Sequence, residues 1–337
     1  MARVEPWGAT MRRRELIGGV AAAAVAWPLK AWAQQSTLPV IGMLNGQSAE
    51  GYSHLAEAVR LGLKDEGFAD GQNVAIEYRW AAGHDEQLPA MAVELVNRPV
   101  AVLLTGGSTW ATISAKAATA TIPIVFSTAF DPVKLGYVAS LNRPGGNVTG
   151  VSFLGSQLVE KRLELAAQLM PKEVVVGILG RPREPRYAAH RKAIESAAAS
   201  LGRKILFLDI ADEREFESAL TTAKHEHVGV LIPMNDPFFN SNRVALVTLV
   251  ARYSLPTIYE SREPVADGGL MSYGTSIRAA YRQVGVYAGR ILKGEKAGDL
   301  PVVQSTRFES VINLKTAKTL GLTIPNNLLV AADEVIE

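Results

Sequence analysis

Glycine and hydroxyl residues stand together where an apolar segment gives way to a helical pattern. The apolar run 100–104 is followed by Gly106, Gly107, Ser108 and Thr109. Glycines allow a ligand to approach the backbone, and the first N–H groups of a helix attract a carboxylate. Ser108 or Thr109 could equally cap the helix, and one residue can do both. Gly107, Ser108 and Thr109 therefore indicate either a carboxylate site or a plain helix start.

Acidic residues at predicted strand ends could pair with a ligand ammonium. Asp131 and Asp236 each precede a proline, as an N-cap residue does before the first residue of a helix. Capping is the favoured interpretation of both, with ligand pairing as the alternative. Glu260 follows a short extended segment, and it is either a ligand partner or a solvated loop acid.

Aromatic rings and small polar side chains occur at similar positions. Phe238 and Tyr273 have polar or glycine neighbours, so we predict that they cover the apolar part of a ligand. We expect Phe239 and Tyr259 to pack in the core instead. The remaining candidate ligand-binding residues also lie at or near predicted strand ends: Asn45, Ser127, Thr128, Tyr187 and Asn235.

Motifs for catalysis, metal binding and nucleotide binding are missing from the sequence. It has no HExxH, no GxSxG, no GxxxxGK[ST] and no GxGxxG. His225 and His227 are two positions apart, which is the wrong spacing for a metal site on one helical face. The absence of cysteine excludes disulfides and cysteine-based metal sites. We therefore predict surface histidines, no metal, no cofactor and no enzymatic activity.

The order of apolar segments predicts an α/β protein. Short apolar runs such as 40–44, 100–104 and 122–126 alternate with helical patterns, and the same alternation resumes after residue 158. Between the two series lies a break rich in proline and glycine at 143–147. This pattern predicts two doubly wound parallel-sheet lobes around a cleft, with ligand-binding loops at the carboxyl ends of the strands.

The N-terminus has the composition of an export signal. Arg13 and Arg14 precede a weakly apolar run, and Ala31 and Ala33 lie at the positions that a signal peptidase reads. We predict a twin-arginine-like signal over residues 1–33, with an ordinary Sec signal as the alternative. The remaining chain has 30 basic and 31 acidic residues, so it offers no basic surface for nucleic acid.

Several stretches resemble the ABC-transporter substrate-binding family that includes tryptophan-binding receptors of the TrpX type. The resemblance covers nearly the whole chain, and its most specific part is the run LNRPGGNVTG at 141–150. It implies a type I periplasmic-binding fold, a hinged clamp, and delivery of a ligand to a membrane permease with its ATPase. It also implies a first lobe of residues 38–152 and 275–302, and a second lobe of residues 153–274 and 303–337. The shorter matching stretches are 71–74, 76–79, 131–136, 236–239, 269–274 and 311–313.

These observations predict the substrate-binding component of an ABC importer. We expect a periplasmic monomer that captures a small carboxylate-bearing ligand, with an amino acid or aromatic acid favoured. A periplasmic sensor for a signalling system is the first alternative, and an exported α/β enzyme is the second. A sugar-type transcriptional regulator would need an N-terminal helix-turn-helix where this chain has a predicted signal.

We expect the exported protein to begin at Gln34, because cleavage after Ala33 follows from the small residues at 31 and 33. N-terminal sequencing of the protein recovered from the periplasm tests the position. Replacing Arg13 and Arg14 together with lysine should block export by the twin-arginine route. Unchanged export of that variant would instead favour the Sec route.

Overall fold

The computed structural model describes residues 1–3, 38–153, 158–184, 186–305 and 308–337. Residues 4–33 of the predicted export signal therefore lie outside the described residues. Within the described ranges, no helix combines the length and apolarity needed to cross a membrane.

The first lobe is built on a six-stranded parallel sheet with the order β11-β5-β4-β3-β1-β2. Apolar clusters cover both faces of this sheet, which explains why its central strands are apolar on both sides. Its strands are β1 Val40–Asn45, β2 Ala75–Trp80, β3 Val100–Gly106, β4 Ile124–Thr128, β5 Val148–Ser152 and β11 Val303–Gln304. Its helices are α1 Ala49–Asp65, α2 Leu88–Val96, α3 Thr109–Ala118 and α10 Ile277–Leu292.

The second lobe has a single apolar core between 159 and 328. Strands β7, β6 and β8 form one parallel sheet. A parallel bridge from Leu231 to Thr257 joins this sheet to a second one, whose strand order is β9-β10-β12-β13. Its strands are β6 Val175–Gly180, β7 Ile205–Asp209, β8 Val228–Pro233, β9 Ile258–Tyr259, β10 Met271–Thr275, β12 Phe308–Asn313 and β13 Glu334–Ile336. Its helices are α4 Val159–Leu169, α5 Tyr187–Ser200, α6 Phe216–His225, α7 Pro237–Ser241, α8 Arg243–Arg252, α9 Arg262–Ala266, α11 Leu314–Thr319 and α12 Asn326–Ala331.

The chain passes between the two sheets three times, after β5, after β10 and after β11. Two details differ from the sequence-based expectation. Val303 and Gln304 pair with β5 in the first sheet, so the second lobe does not begin at residue 303. In addition, β12 is antiparallel to β10, although a wholly parallel sheet was predicted. Because β11 is parallel to β5, the chain leaves the first sheet at the edge where its parallel strands end. The next strand, β12, enters the sheet of the second lobe from the facing edge and therefore runs opposite to β10.

Helices α1 and α10 pack closely because glycine lies at their crossing. A Cβ on Gly62 would lie 1.9 Å from the Arg282 carbonyl oxygen, and one on Gly285 would lie 2.1 Å from the Val59 carbonyl oxygen. The two glycines therefore let backbone approach backbone. This contact fixes α10, which follows β10 of the second lobe, against the first lobe.

We expect Gly62→Ala and Gly285→Ala to lower the free energy of unfolding by roughly 1–3 kcal/mol through overpacking. Helix propensity alone predicts the opposite sign, because alanine favours an exposed helix over glycine by about 1 kcal/mol. Ser53→Ala on the exposed side of α1 is the control and should change stability little. Urea denaturation of the purified protein measures all three, and a stabilised glycine variant would contradict the close crossing.

Candidate functional site

A cavity lies where the carboxyl ends of the two sheets face each other. About 510 Å³ of this region is not filled by protein atoms, and part of that space is open to solvent. Both lobes contribute to its wall. The lining residues are Tyr52, Gly107, Ser108, Thr109, Ser127, Thr128, Ala129, Phe130, Tyr137, Phe153, Asn235, Asp236, Pro237, Asn240, Glu260, Ile277 and Tyr281.

The first-lobe wall contains the start of α3. Ser108 is the N-cap of this helix, and its Oγ accepts a hydrogen bond from the Trp110 N–H at 3.1 Å. The N–H groups of Ser108 and Thr109 come before the first N–H group that can bond to a carbonyl within the helix. They are therefore suited to bind an anion in the cavity. Gly107 has a φ of +69°, and a Cβ there would lie 2.0 Å from Asn45 Oδ1. This position requires glycine for both reasons.

The second-lobe wall contains a buried ion pair. Asp236 is 2% exposed and accepts hydrogen bonds from Arg181 Nε at 2.8 Å and Arg181 Nη2 at 3.2 Å. The same carboxylate accepts the Phe238 N–H at 2.9 Å and so caps α7. Asp236 therefore has the capping role that its position before proline predicts, and its charge is already compensated by Arg181.

Glu260 differs from Asp236 in having no salt bridge within 4.0 Å among the described residues. It accepts a hydrogen bond from the Asn235 side-chain amide, whose oxygen in turn accepts one from Arg162. The pKa of Glu260 is raised to about 7, mainly by burial and also by the charges of Asp236 and Glu263, while Arg162 and Asn235 oppose the rise. A ligand cation beside Glu260 would stabilise its ionised form and lower this pKa.

Contacts between the lobes close the cavity on several sides. The Thr109 hydroxyl donates to Glu184 Oε1 at 3.0 Å, and the rings of Phe130 and His190 lie 5.5 Å apart, edge to face. Glu184 is 8% exposed, and burial followed by the charge of Asp236 raises its pKa to about 8. His190 is only 7% exposed, so the prediction that the histidines are all on the surface is wrong for this one.

Eight of the predicted ligand-binding residues line the cavity together. They are Gly107, Ser108, Thr109, Ser127, Thr128, Asn235, Asp236 and Glu260. The four hydroxyls among them already bind protein groups: Ser108 accepts the Trp110 N–H, Thr109 donates to Glu184, Ser127 donates to the Thr105 carbonyl, and Thr128 Oγ1 accepts the Phe130 N–H at 3.1 Å. Their remaining contribution to a ligand is therefore mostly through backbone groups and apolar surface.

Five other predicted residues lie outside the cavity lining. Phe238 packs against Phe216 and Phe239 in the core, as Phe239 itself was expected to do. Tyr273 stacks on Phe308 of the neighbouring strand, with ring centroids 6.3 Å apart. The others bind nearby protein groups: Asp131 caps its own turn, Tyr187 binds Asp209, and Asn45 accepts the Gln47 N–H.

Several lining residues escaped the sequence analysis because they lie within helices. Tyr52 is in the first turn of α1, Tyr281 is near the start of α10, and Asn240 is in the short helix α7. Tyr52 and Tyr281 are each 3% exposed and fit the apolar stripe of their helix, so their pattern indicates core packing. Burial raises the pKa of Tyr281 to about 12, so its hydroxyl stays a hydrogen-bond donor well above neutral pH.

Metal-binding groups were also sought. Over the described ranges, no cluster of three or more His, Cys, Asp or Glu side chains could hold a metal ion.

Comparison with known proteins identifies the family. Residues 40–336 match the model of the ABC transporter substrate binding protein family. The chain belongs to this family. A tyrosine-binding protein of Clostridioides difficile strain R20291 is 28% identical over 261 residues, which is 77% of this chain and 74% of that protein. The sequence-based resemblance to ABC-transporter substrate-binding proteins is therefore confirmed.

Solved structures support the same assignment. A conserved domain protein from Vibrio cholerae O1 biovar El Tor strain N16961 has a TM-score of 0.80 and 26% identity, and covers 89% of this chain and 100% of its own. An ABC domain from Streptococcus pneumoniae solved in complex with L-Trp has a TM-score of 0.77 and 27% identity, with the same two coverages. The predicted type I periplasmic-binding fold is confirmed.

Removing the Asp236 carboxylate should destabilise the ligand-free protein. We expect Asp236→Ala to lower the free energy of unfolding by about 3–5 kcal/mol, because it leaves the Arg181 charge buried without its partner. Asp236→Asn keeps a capping oxygen and separates the loss of charge from the loss of the cap.

The control is Asp209→Ala, which removes an exposed acid from a strand end in the same lobe and should cost about 0–1 kcal/mol. Denaturant titration of the three variants without ligand provides the comparison. An Asp236→Ala variant as stable as the unmodified protein would show that the ion pair does not hold the start of α7.

Proposed function

We propose that this family member is the periplasmic receptor of an ABC importer and that it captures a zwitterionic amino acid with an aromatic side chain. In this proposal the ligand lies in the cavity between the lobes. Closure around it produces the form that a membrane permease with its ATPase recognises.

The distribution of charge around the cavity is the observation that carries the proposal. The first lobe offers helix-start N–H groups at Ser108 and Thr109, and the second lobe offers the carboxylate of Glu260, whereas that of Asp236 is already paired with Arg181. A molecule with a carboxylate and an ammonium fits these two sides in one orientation. Because no Lys or Arg is among the described lining residues, the ligand carboxylate depends on neutral donors, which act most strongly in a buried site.

Aromatic rings in the wall of the cavity support a ligand with an aromatic side chain. Phe130, Tyr137 and Phe153 line the cavity and are each less than a tenth exposed. Offset or edge-to-face contacts with such rings favour a flat apolar group. The relatives point the same way, since one is named for tyrosine binding and another was solved with L-Trp.

Calorimetry with purified protein lacking residues 1–33 tests the ligand class. We expect L-tryptophan and L-tyrosine to bind more tightly than L-leucine, because the aromatic rings of the lining favour an aromatic side chain. We expect L-glutamate and L-lysine not to bind, because the lining offers no partner for a second charge. Tighter binding of a sugar or of a charged amino acid would contradict the proposal.

Phe130→Leu should weaken the binding of aromatic amino acids about 2- to 12-fold, as expected from the loss of roughly 0.5–1.5 kcal/mol of ring contact. It should weaken L-leucine binding less. Phe207→Leu removes a ring that contacts Arg191 away from the cavity and serves as the matched control. Equal loss for aromatic and aliphatic ligands would mean that Phe130 acts only by holding the lobes together.

A further inference from the structure

Asn240 has an unsatisfied polar atom inside the cavity. The residue lines the cavity and is 4% exposed, and its Oδ1 has no hydrogen-bond partner among the described residues. Leaving a buried acceptor unpaired is costly, on the order of 1–3 kcal/mol. The ligand-free site therefore retains an acceptor that a bound donor would satisfy.

Glu260 is the second acceptor with unused capacity on the same wall. Its carboxylate receives the Asn235 amide but forms no salt bridge within 4.0 Å among the described residues, whereas Asp236 is held by Arg181. Both residues line the cavity together with Tyr52. Both the Asn240 amide and the Glu260 charge act on the Tyr52 hydroxyl and change its pKa.

The chemistry of the donor follows from this pair of acceptors. A primary ammonium carries a positive charge and three N–H donors, and has no acceptor to oppose Asn240 Oδ1 or Glu260. A ligand hydroxyl would supply a single donor and would leave the Glu260 charge without compensation. A secondary or tertiary amine would keep the charge but lose donors.

We propose that Glu260 and Asn240, rather than Asp236, form the ammonium subsite, and that Asn240 makes the protein selective for primary amines. This inference rests on the proposed capture of an amino acid and names the groups that recognise its nitrogen. Asp236 then acts indirectly, as a positioning residue, because it caps α7 and so positions Asn240 in that helix.

The test compares three probes of one shape on the protein without residues 1–33: L-tryptophan, indole-3-propionate without the amine, and tryptamine without the carboxylate. The unmodified protein should bind L-tryptophan at least 100-fold more tightly than indole-3-propionate. Asn240→Ala should weaken L-tryptophan and tryptamine about 10-fold, as expected for a hydrogen bond to a charged group. It should change indole-3-propionate binding less than 2-fold.

Two further measurements separate recognition from folding. Asn240→Ala should lower the melting temperature of the ligand-free protein only slightly, because Oδ1 is unpaired there and the amide contacts only the Tyr52 hydroxyl. N-methyl-L-tryptophan should bind the unmodified protein more weakly than L-tryptophan, and this difference should disappear in Asn240→Ala. Asn242→Ala is the matched control, because it removes an amide at the end of the same helix that lines no part of the cavity.

Affinity for L-tryptophan should also fall as the pH falls from 8 to 5.5, because the raised pKa of Glu260 lies in this interval and only its ionised form attracts the ammonium. Glu260→Gln should remove this dependence. Other charged or titratable groups also lie near Glu260: Asp236, Glu263, Arg162 and the Tyr52 hydroxyl. The test therefore compares how affinity changes with pH in the unmodified protein and in Glu260→Gln, and does not compare their absolute affinities.

The outcomes distinguish this inference from the proposed function. If tryptamine binds and no amino acid does, amino-acid capture is wrong and the amine subsite remains. If indole-3-propionate binds as well as L-tryptophan, or if Asn240→Ala weakens all probes equally, the subsite is wrong and carboxylate capture remains. If no probe binds, both are wrong.

Discussion

The buried pair of Asp236 and Arg181 is the interaction on which the candidate site depends. Asp236 follows β8 directly, and its carboxylate holds the first N–H of α7 and the guanidinium of Arg181 at the end of β6. The partner charge and the helix start both attract the Asp236 carboxylate. Removing either partner would leave an isolated charge in the interior of the second lobe.

Helix α7 transmits the effect of this pair to the other lobe. It carries Asn240 into the cavity, and its last residue, Ser241, lies against the first turn of α1. A Cβ on Gly51 of that turn would lie 2.1 Å from Ser241 Oγ and 2.9 Å from the Ser241 carbonyl oxygen, so the lack of a side chain on Gly51 lets the two helices approach closely. The geometry of the ion pair therefore determines both a ligand-facing group and one of the contacts between the lobes.

Closing the lobes concentrates acidic groups around the cavity. The charge of Asp236 is paired with Arg181, but Glu184 and Glu260 have pKa values raised to about 8 and about 7, because they are buried and have no salt bridge among the described residues. Glu184 accepts a hydrogen bond from the Thr109 hydroxyl of the other lobe. In the proposed function, a cationic ligand group beside Glu260 would lower the cost of burying its charge and would so favour closure.

Local patterns accounted for the start of α3 and of α7. Ser108 and Asp236 cap helices as their sequence contexts predict, because capping needs only a side-chain oxygen and the next two residues. Helices α7 and α8 are separated at Asn242, whose amide bonds the Phe238 carbonyl at the end of α7. Apolar periodicity continues across this break, so periodicity alone does not reveal it.

The sequence by itself determined the α/β class, the family resemblance and the strand-end loops that reach the cavity, since short-range alternation and local turn chemistry encode all three. Only the tertiary structure decided which side chains face the ligand space. Phe238 and Tyr273 pack against neighbours far away in the chain, whereas Tyr52, Asn240 and Tyr281 come together from three helices. The direction of a side chain depends on which elements pack against each other, and such contacts join residues far apart in the chain. Tyr52 and Tyr281 are 229 positions apart, yet their ring centroids are separated by 6.0 Å.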